Sequence, residues 1–188
     1  RGNPGLTRAA LDCFAALAMT MEIELSLEEP WPAGEWEALA ARAADALAQV
    51  APELANPRLS ASLLFTSDEE VHALNREWRQ RDKPTNVLSF PMLSRDELLG
   101  LAPEGPPELL GDVALAYETC AREAADKGIP LAHHAAHLVV HGLLHLAGHD
   151  HELGEREAEA MEALERKALA QMGIADPYGA SHHSTGDD

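Results

Sequence analysis

Cysteine, positive charge and long hydrophobic runs are all scarce in this 188-residue chain, and each shortage excludes something. Two cysteines, Cys13 and Cys120, cannot build a disulfide framework. A single domain of this length can bury a sufficient core without one, so both read as free thiols in a reducing compartment. Only 14 Lys and Arg stand against 32 Asp and Glu, giving a formal charge of −18. Such a field repels nucleic acid and anionic membrane at long range. A non-specific DNA coat protein is excluded, and any polyanionic substrate must meet a local basic patch. No apolar stretch approaches the roughly 20 residues a membrane helix requires. LDCFAALAM (11–19) is too short and interrupted to be a secretory core. The expectation is a cytoplasmic protein with neither membrane nor DNA as a partner.

At 46% hydrophobic and 24% charged, what remains is the composition of an ordinary globular domain. MTMEIELSL (19–27) looks like a natural start, so residues 1–20 read as an N-terminal extension, disordered or foreign to the native protein. The domain proper is expected over 21–178, with 179–188 a disordered tail. Period-two alternation at 21–27 predicts a strand, and helical spacing of Trp36, Leu39, Ala43 and Leu47 predicts a helix over 35–50. LSASLLFT (59–66) reads as a second strand. Ser67 with Glu70 has a capping-box pattern, predicting a helix over 68–78 with Val71, Leu74 and Trp78 buried. Strands follow at 86–90 and 111–117, separated by a proline-rich loop over 97–109. Helices are expected at 118–127, 131–146 and 152–172. The fold class is therefore α+β: one domain, a small mixed four-stranded sheet packed against helices, and a metal-binding helix of zincin-like character. There are no internal repeats.

Histidine is the exception to this plainness. Seven of the ten lie between 133 and 151, and four fall inside HGLLHLAGHDH (141–151). His141 and His145, four apart, project from one helix face and can share a metal. Gly148 is placed to end the helix and turn the chain back, bringing His151 within reach as a third ligand. His149 competes for that role, but its offset of four from His145 requires the helix to run on through Gly148. Three protein nitrogens leave a fourth coordination position open, the arrangement of a catalytic rather than a structural zinc site. These offsets also occur in the zinc-protease signature HExxHxxGxxH, yet here Gly142 stands where that signature has its glutamate base. His133 and His137 extend the stripe towards the helix start, as outer contacts, substrate contacts or a polar face. Asp112 is a candidate to orient a ligand histidine, and His72 is a packed or solvated side chain. Arg76, Arg79, Arg81 and Lys83 place four of the 14 cations within eight residues, a local reversal of charge suited to phosphate.

WRQRDKPTNVLSFP (78–91), LLGDVALA (109–116) and HLVVHGLLHLAGHDH (137–151) resemble the three signature blocks of the YbeY family of bacterial endoribonucleases and rRNA maturation factors. The resemblance runs from about Met21 to Tyr178. It implies an α+β fold with one zinc ion held by His141, His145 and His151 beside a positively lined cleft. It implies cleavage of single-stranded RNA, maturation of 16S rRNA near its 3′ end, and a part in ribosome quality control with the small ribosomal subunit and its proteins as partners. Arg79 matches the family's functionally important arginine, so Arg79 and His141 are the expected catalytic residues. No residue stands out as a general base, and the nucleophile is either water or the RNA's own 2′-hydroxyl. Two rivals remain: a metal-dependent hydrolase of peptides or small molecules, and a non-catalytic ribosome assembly factor whose zinc is structural.

Overall fold

The computed structural model describes residues 20–179. Cys13 and the expectations for residues 1–19 and 180–188 lie outside that range. The elements run β1 (Glu22–Leu27), α1 (Trp36–Val50), β2 (Leu59–Thr66), α2 (Asp68–Arg79), β3 (Val87–Pro91), α3 (Arg95–Leu99), β4 (Glu108–Ala116), α4 (Tyr117–Lys127), α5 (Leu131–Leu146) and α6 (Glu155–Gln171). The four strands form one mixed sheet in the order β1-β2-β4-β3, parallel except for the antiparallel edge strand β3. This is the α+β single domain expected from the sequence. Among the described residues no helix is long and apolar enough to cross a membrane.

The alternation along β2 and β4 decides which face holds the core. Leu59, Ala61, Leu63 and Phe65 of β2 and Val113 and Leu115 of β4 point to one side, where they join α1, α5 and α6 in the main hydrophobic cluster. The alternate positions face the other side, where Val71 of α2, Leu88, Ala114 and Ala116 make a much smaller cluster. Trp31 and Trp36 close the main core over Phe65, with Trp31 centroids 4.6 Å from Phe65 and 5.1 Å from Trp36. Cys120 is buried, and burial pushes its thiol up to about 12, so it is inert at neutral pH.

Helix α5 is buried for most of its length and crosses β3 and β4 on the core face. It can lie that close because position 142 is glycine. A Cβ there would stand 2.6 Å from Val113 Cγ1 and 3.3 Å from Ser89 Oγ. Ser89 in turn donates a hydrogen bond to the Gly142 carbonyl at 3.3 Å.

Several local expectations are corrected. The stretch expected as a loop over 97–109 contains the second half of α3, whose start is fixed by a capping box between Ser94 and Glu97. Strand β4 begins at Glu108 rather than 111 and kinks at Gly111, where the register with β2 shifts and a Cβ would meet the Phe90 carbonyl at 2.4 Å. Helix α6 begins at Glu155 rather than 152. Ser67 accepts from the Glu70 amide as expected. Val71 is fully buried, but Trp78 is 68% exposed: its ring lines an open apolar groove of about 530 Å³ beside Phe90 and Met92. The expected buried stripe therefore stops short of Trp78, because among the described residues no element packs over the last turn of α2.

Candidate metal centre and its cleft

The last two turns of α5 present His141 and His145 on its more exposed side, away from Gly142 and the sheet. The helix ends at Ala147, and Gly148 adopts φ +83°, a left-handed turn that needs glycine. The chain reverses and delivers His151 to the other two. Ring centroids are 4.6 Å apart for His141 and His145, 5.0 Å for His145 and His151, and 5.3 Å for His141 and His151. His145 Nε2 and His151 Nδ1 approach to 3.1 Å. Two nitrogens on a tetrahedral zinc ion with bonds of about 2.0–2.1 Å stand roughly 3.3 Å apart. All three residues offer a nitrogen within 4.8 Å of the others, so the donor set fits a borderline divalent metal such as zinc. Burial, with the neighbouring His141 and His151, pulls His145 down to about 4 and keeps its imidazole neutral.

The competing ligand is engaged elsewhere. His149 Nε2 lies 2.9 Å from Glu53 Oε1, which also receives a 2.9 Å hydrogen bond from Arg95 Nη1. Arg95 Nη1 donates to the Ala147 carbonyl as well, at 2.6 Å. The hydrogen bond to His149, with further help from Arg95, holds the Glu53 carboxyl at about 2 against the upward push of its partial burial. This cluster ties the turn that carries His151 to the segment after α1 and to α3. His149 is thus a brace for the metal turn.

Asp112 does not orient any ligand. It alternates with Val113 and Leu115 along β4, so its side chain lies on the opposite face of the sheet from α5, in the groove beside Trp78. The carboxylate that reaches the site is Glu165 of α6, which the sequence reading missed. Glu165 Oε1 is 2.5 Å from His141 Nδ1, and its Oε2 accepts a hydrogen bond from the Tyr178 hydroxyl. His137 Nε2 stands 3.6 Å from Oε2 and 3.3 Å from the Tyr178 oxygen. Burial pushes the Glu165 carboxyl up, yet its contacts with His137, His141 and Tyr178 outweigh that and hold it at about 2. A signal was present: Glu165 falls in the same helical stripe as Met161, Ala168 and Leu169, an acid where the pattern calls for an apolar residue. His133 is half-buried on α5, away from the three converging histidines, while His72 pairs with Asp82 at 2.7 Å.

The three histidines line a cleft of about 540 Å³ that Arg79, Arg81 and Asn86 also line. Of the four clustered cations, Arg79 and Arg81 line the cleft and Arg76 and Lys83 do not. Gln80 in a left-handed conformation (φ 54°) ends α2 between these two arginines. The loop beyond is pinned by the buried Asn75, whose side chain donates to the Lys83 carbonyl at 2.7 Å. Guanidinium groups that share a cleft with a three-nitrogen cluster able to hold a metal suit a substrate that is anionic and has an electrophilic centre, as a phosphodiester does.

Comparison with known proteins agrees with this chemistry. A family model described as Endoribonuclease YbeY matches residues 24–173. The chain is 68% identical over 161 residues to an endoribonuclease YbeY from Erythrobacter litoralis, covering 86% of this chain and 98% of that protein. It is 63% identical over 158 residues to the Novosphingobium aromaticivorans protein of the same name, covering 83% and 95%. Among solved structures it resembles the solution structure of TM1509 from Thermotoga maritima, with a TM-score of 0.51 and 22% identity, covering 87% of this chain and 99% of that one. That last likeness speaks for the fold alone.

Proposed function

The chain belongs to the YbeY endoribonuclease family, and on that premise we propose that it is a zinc-dependent endoribonuclease that cuts single-stranded RNA in the cleft between Arg79 and the three histidines. The observation that carries the reading is the convergence of His141, His145 and His151 in a cleft that Arg79 also lines. His141, His145 and His151 hold one zinc ion per chain, within a working domain of residues 21–178. When bound, zinc supplies Lewis-acid polarisation of a phosphoryl oxygen and activation of the nucleophile at neutral pH. Arg79 donates paired hydrogen bonds to the scissile phosphate and offsets the negative charge that grows on its oxygens. Arg81, in the same cleft, extends this to a neighbouring phosphate. The neutral imidazole of His145 keeps its lone pair for the metal, and His141, anchored through Nδ1, has Nε2 to offer.

The total charge of −18 opposes RNA, and Arg79 and Arg81 offset it locally in the cleft. Binding to free RNA is therefore weak and falls further with salt. The small ribosomal subunit supplies the remaining recognition, consistent with maturation of the 16S rRNA 3′ end, ribosome quality control and a cytoplasmic location.

The test is cleavage of end-labelled single-stranded RNA and of the matching duplex, with and without a chelator, and after zinc is restored. Single-strand cutting that stops with the chelator and returns with zinc is expected. Cutting that ignores the chelator, or treats duplex and single strand alike, overturns the reading. A 2′,3′-cyclic phosphate at the new end identifies the 2′-hydroxyl as nucleophile, whereas its absence at the earliest times identifies water. Arg79→Ala, at an exposed position, is expected to lower the cleavage rate by about 10²–10³-fold with zinc content and Tm unchanged. An unaltered rate would remove Arg79 from the mechanism.

A further inference from the structure

Glu165 is fully buried, and a buried carboxylate carries a heavy desolvation cost unless its oxygens are well occupied. Here both are. Oε1 is 2.5 Å from His141 Nδ1, and Oε2 accepts from Tyr178, which reaches back from beyond the end of α6. An ionised carboxylate only accepts hydrogen bonds, so Nδ1 of His141 carries a proton, and in the neutral ring that tautomer leaves Nε2 bare. Glu165 thus faces a residue of the cleft although it touches neither the cleft nor, by its burial, any substrate. Tyr178 matters because of how the two oxygens are shared. Its hydroxyl occupies Oε2, while its ring is held by Arg166, whose guanidinium carbon lies 5.0 Å from the ring centroid. The segment is fixed further by the Tyr178 amide, which donates to Asp176 Oδ1 at 2.8 Å.

We propose that Glu165 is a positioning residue of the metal centre: through Nδ1 it holds His141 in the tautomer that leaves Nε2 free for the metal, and Tyr178 keeps the carboxylate turned so that Oε1 serves the histidine. This rests on the reading of His141, His145 and His151 as metal ligands. The carboxylate sets the ring's tautomer and orientation before any metal arrives, so the ion does not have to meet that cost on binding. The role differs from that of the Glu53–His149–Arg95 brace, which fixes the backbone turn and makes no contact with a ligand ring.

The experiment compares the full chain with Glu165→Gln, Tyr178→Phe and His145→Ala. Zinc affinity is measured by competition with a chromophoric chelator, and the His141 tautomer by nitrogen-15 NMR on the metal-free proteins. At a pH where the ring is neutral, wild type should show the His141 proton on Nδ1. In Glu165→Gln the amide can either donate or accept, so a mixture of tautomers is expected, with zinc affinity about 10–100-fold weaker. Tyr178→Phe should weaken zinc binding in the same direction by several-fold, with a smaller tautomer shift. A lower melting temperature alone would follow from disturbing any buried network, so tautomer and affinity are the deciding readouts. Glu165→Gln with wild-type affinity and an unshifted tautomer overturns the proposal. Should that variant fail to fold, Tyr178→Phe decides in its place by the same two readouts. A wild-type chain that holds no zinc would sink the metal reading as well. Tight binding by wild type, weak binding by His145→Ala and unchanged binding by Glu165→Gln would sink this proposal alone.

Discussion

His145→Ala is expected to lose both bound zinc and RNA cleavage while the protein remains folded. The side chain contributes to the cleft, and the buried face of α5 is carried by Val139, Val140, Leu143, Leu144 and Leu146, which the change leaves in place. What remains is a pair of nitrogens where three converged, too few to keep a zinc ion against competing water and buffer. Losing the Lewis acid removes several kcal/mol of transition-state stabilisation, so cleavage should fall by at least about a thousandfold. Both proteins are to be purified identically, with zinc and cleavage measured on the same samples, because contaminating ribonucleases are common. Equal cutting by both would assign the activity to a contaminant and leave the nuclease reading unsupported. If wild type holds zinc and cuts no free RNA, ribosome-bound RNA becomes the substrate to try. Failure there too would favour the assembly-factor alternative.

Gly142→Glu is expected to abolish the folded protein, and the reason bears on which reaction this centre can perform. In the zinc-protease pattern the residue after the first histidine is the general base. Here that position faces the sheet, where even a Cβ would lie 2.6 Å from Val113 Cγ1. A glutamate would need α5 to lift away from β3 and β4, opening the core and burying a charge without a partner. Gly142→Ala gives the graded version. Overpacking of this kind costs about 1–3 kcal/mol, a fall in Tm of several degrees for a chain of this size. Circular dichroism with thermal melting measures both. A Gly142→Glu protein that folds and melts like wild type would show that the helix can move off the sheet, and would reopen the peptide-hydrolase alternative. The missing base is thus a consequence of packing: this helix approaches its sheet too closely to carry one on that side.

Much of the site could be read from residue spacing. His141 and His145 need only a helix to share a face, and Gly148 announces the turn that returns His151. These are local properties of some ten residues, and their geometry is nearly independent of the rest of the molecule. The arginine cluster was equally visible as a reversal of charge, although spacing could not tell which of its members line the cleft with the histidines. Only the end of α2 at Gln80 and the loop anchored by Asn75 direct Arg79 and Arg81 to the cleft and leave Arg76 and Lys83 out of it.

Elsewhere local pattern misled, always where a contact depends on distant chain. Asp112 lay in a promising motif, but strand alternation is set by which face α5 covers, and that put it on the far side. Trp78 continued an apolar stripe that no element among the described residues covers. His149 stood as the lesser candidate beside His151, and only the fold shows that Glu53, 96 positions earlier, holds it. Glu165 looked like one more acid in a chain of 32, yet it contacts His141 across 24 residues. What the sequence by itself determined was the convergence of the three histidines, because a helix face and a glycine turn are short-range geometry. What only the tertiary structure decided was which carboxylate serves that cluster and which cations share its cleft. Those partners are brought in by the packing of α6 and α2 around the sheet, and no local spacing encodes that packing.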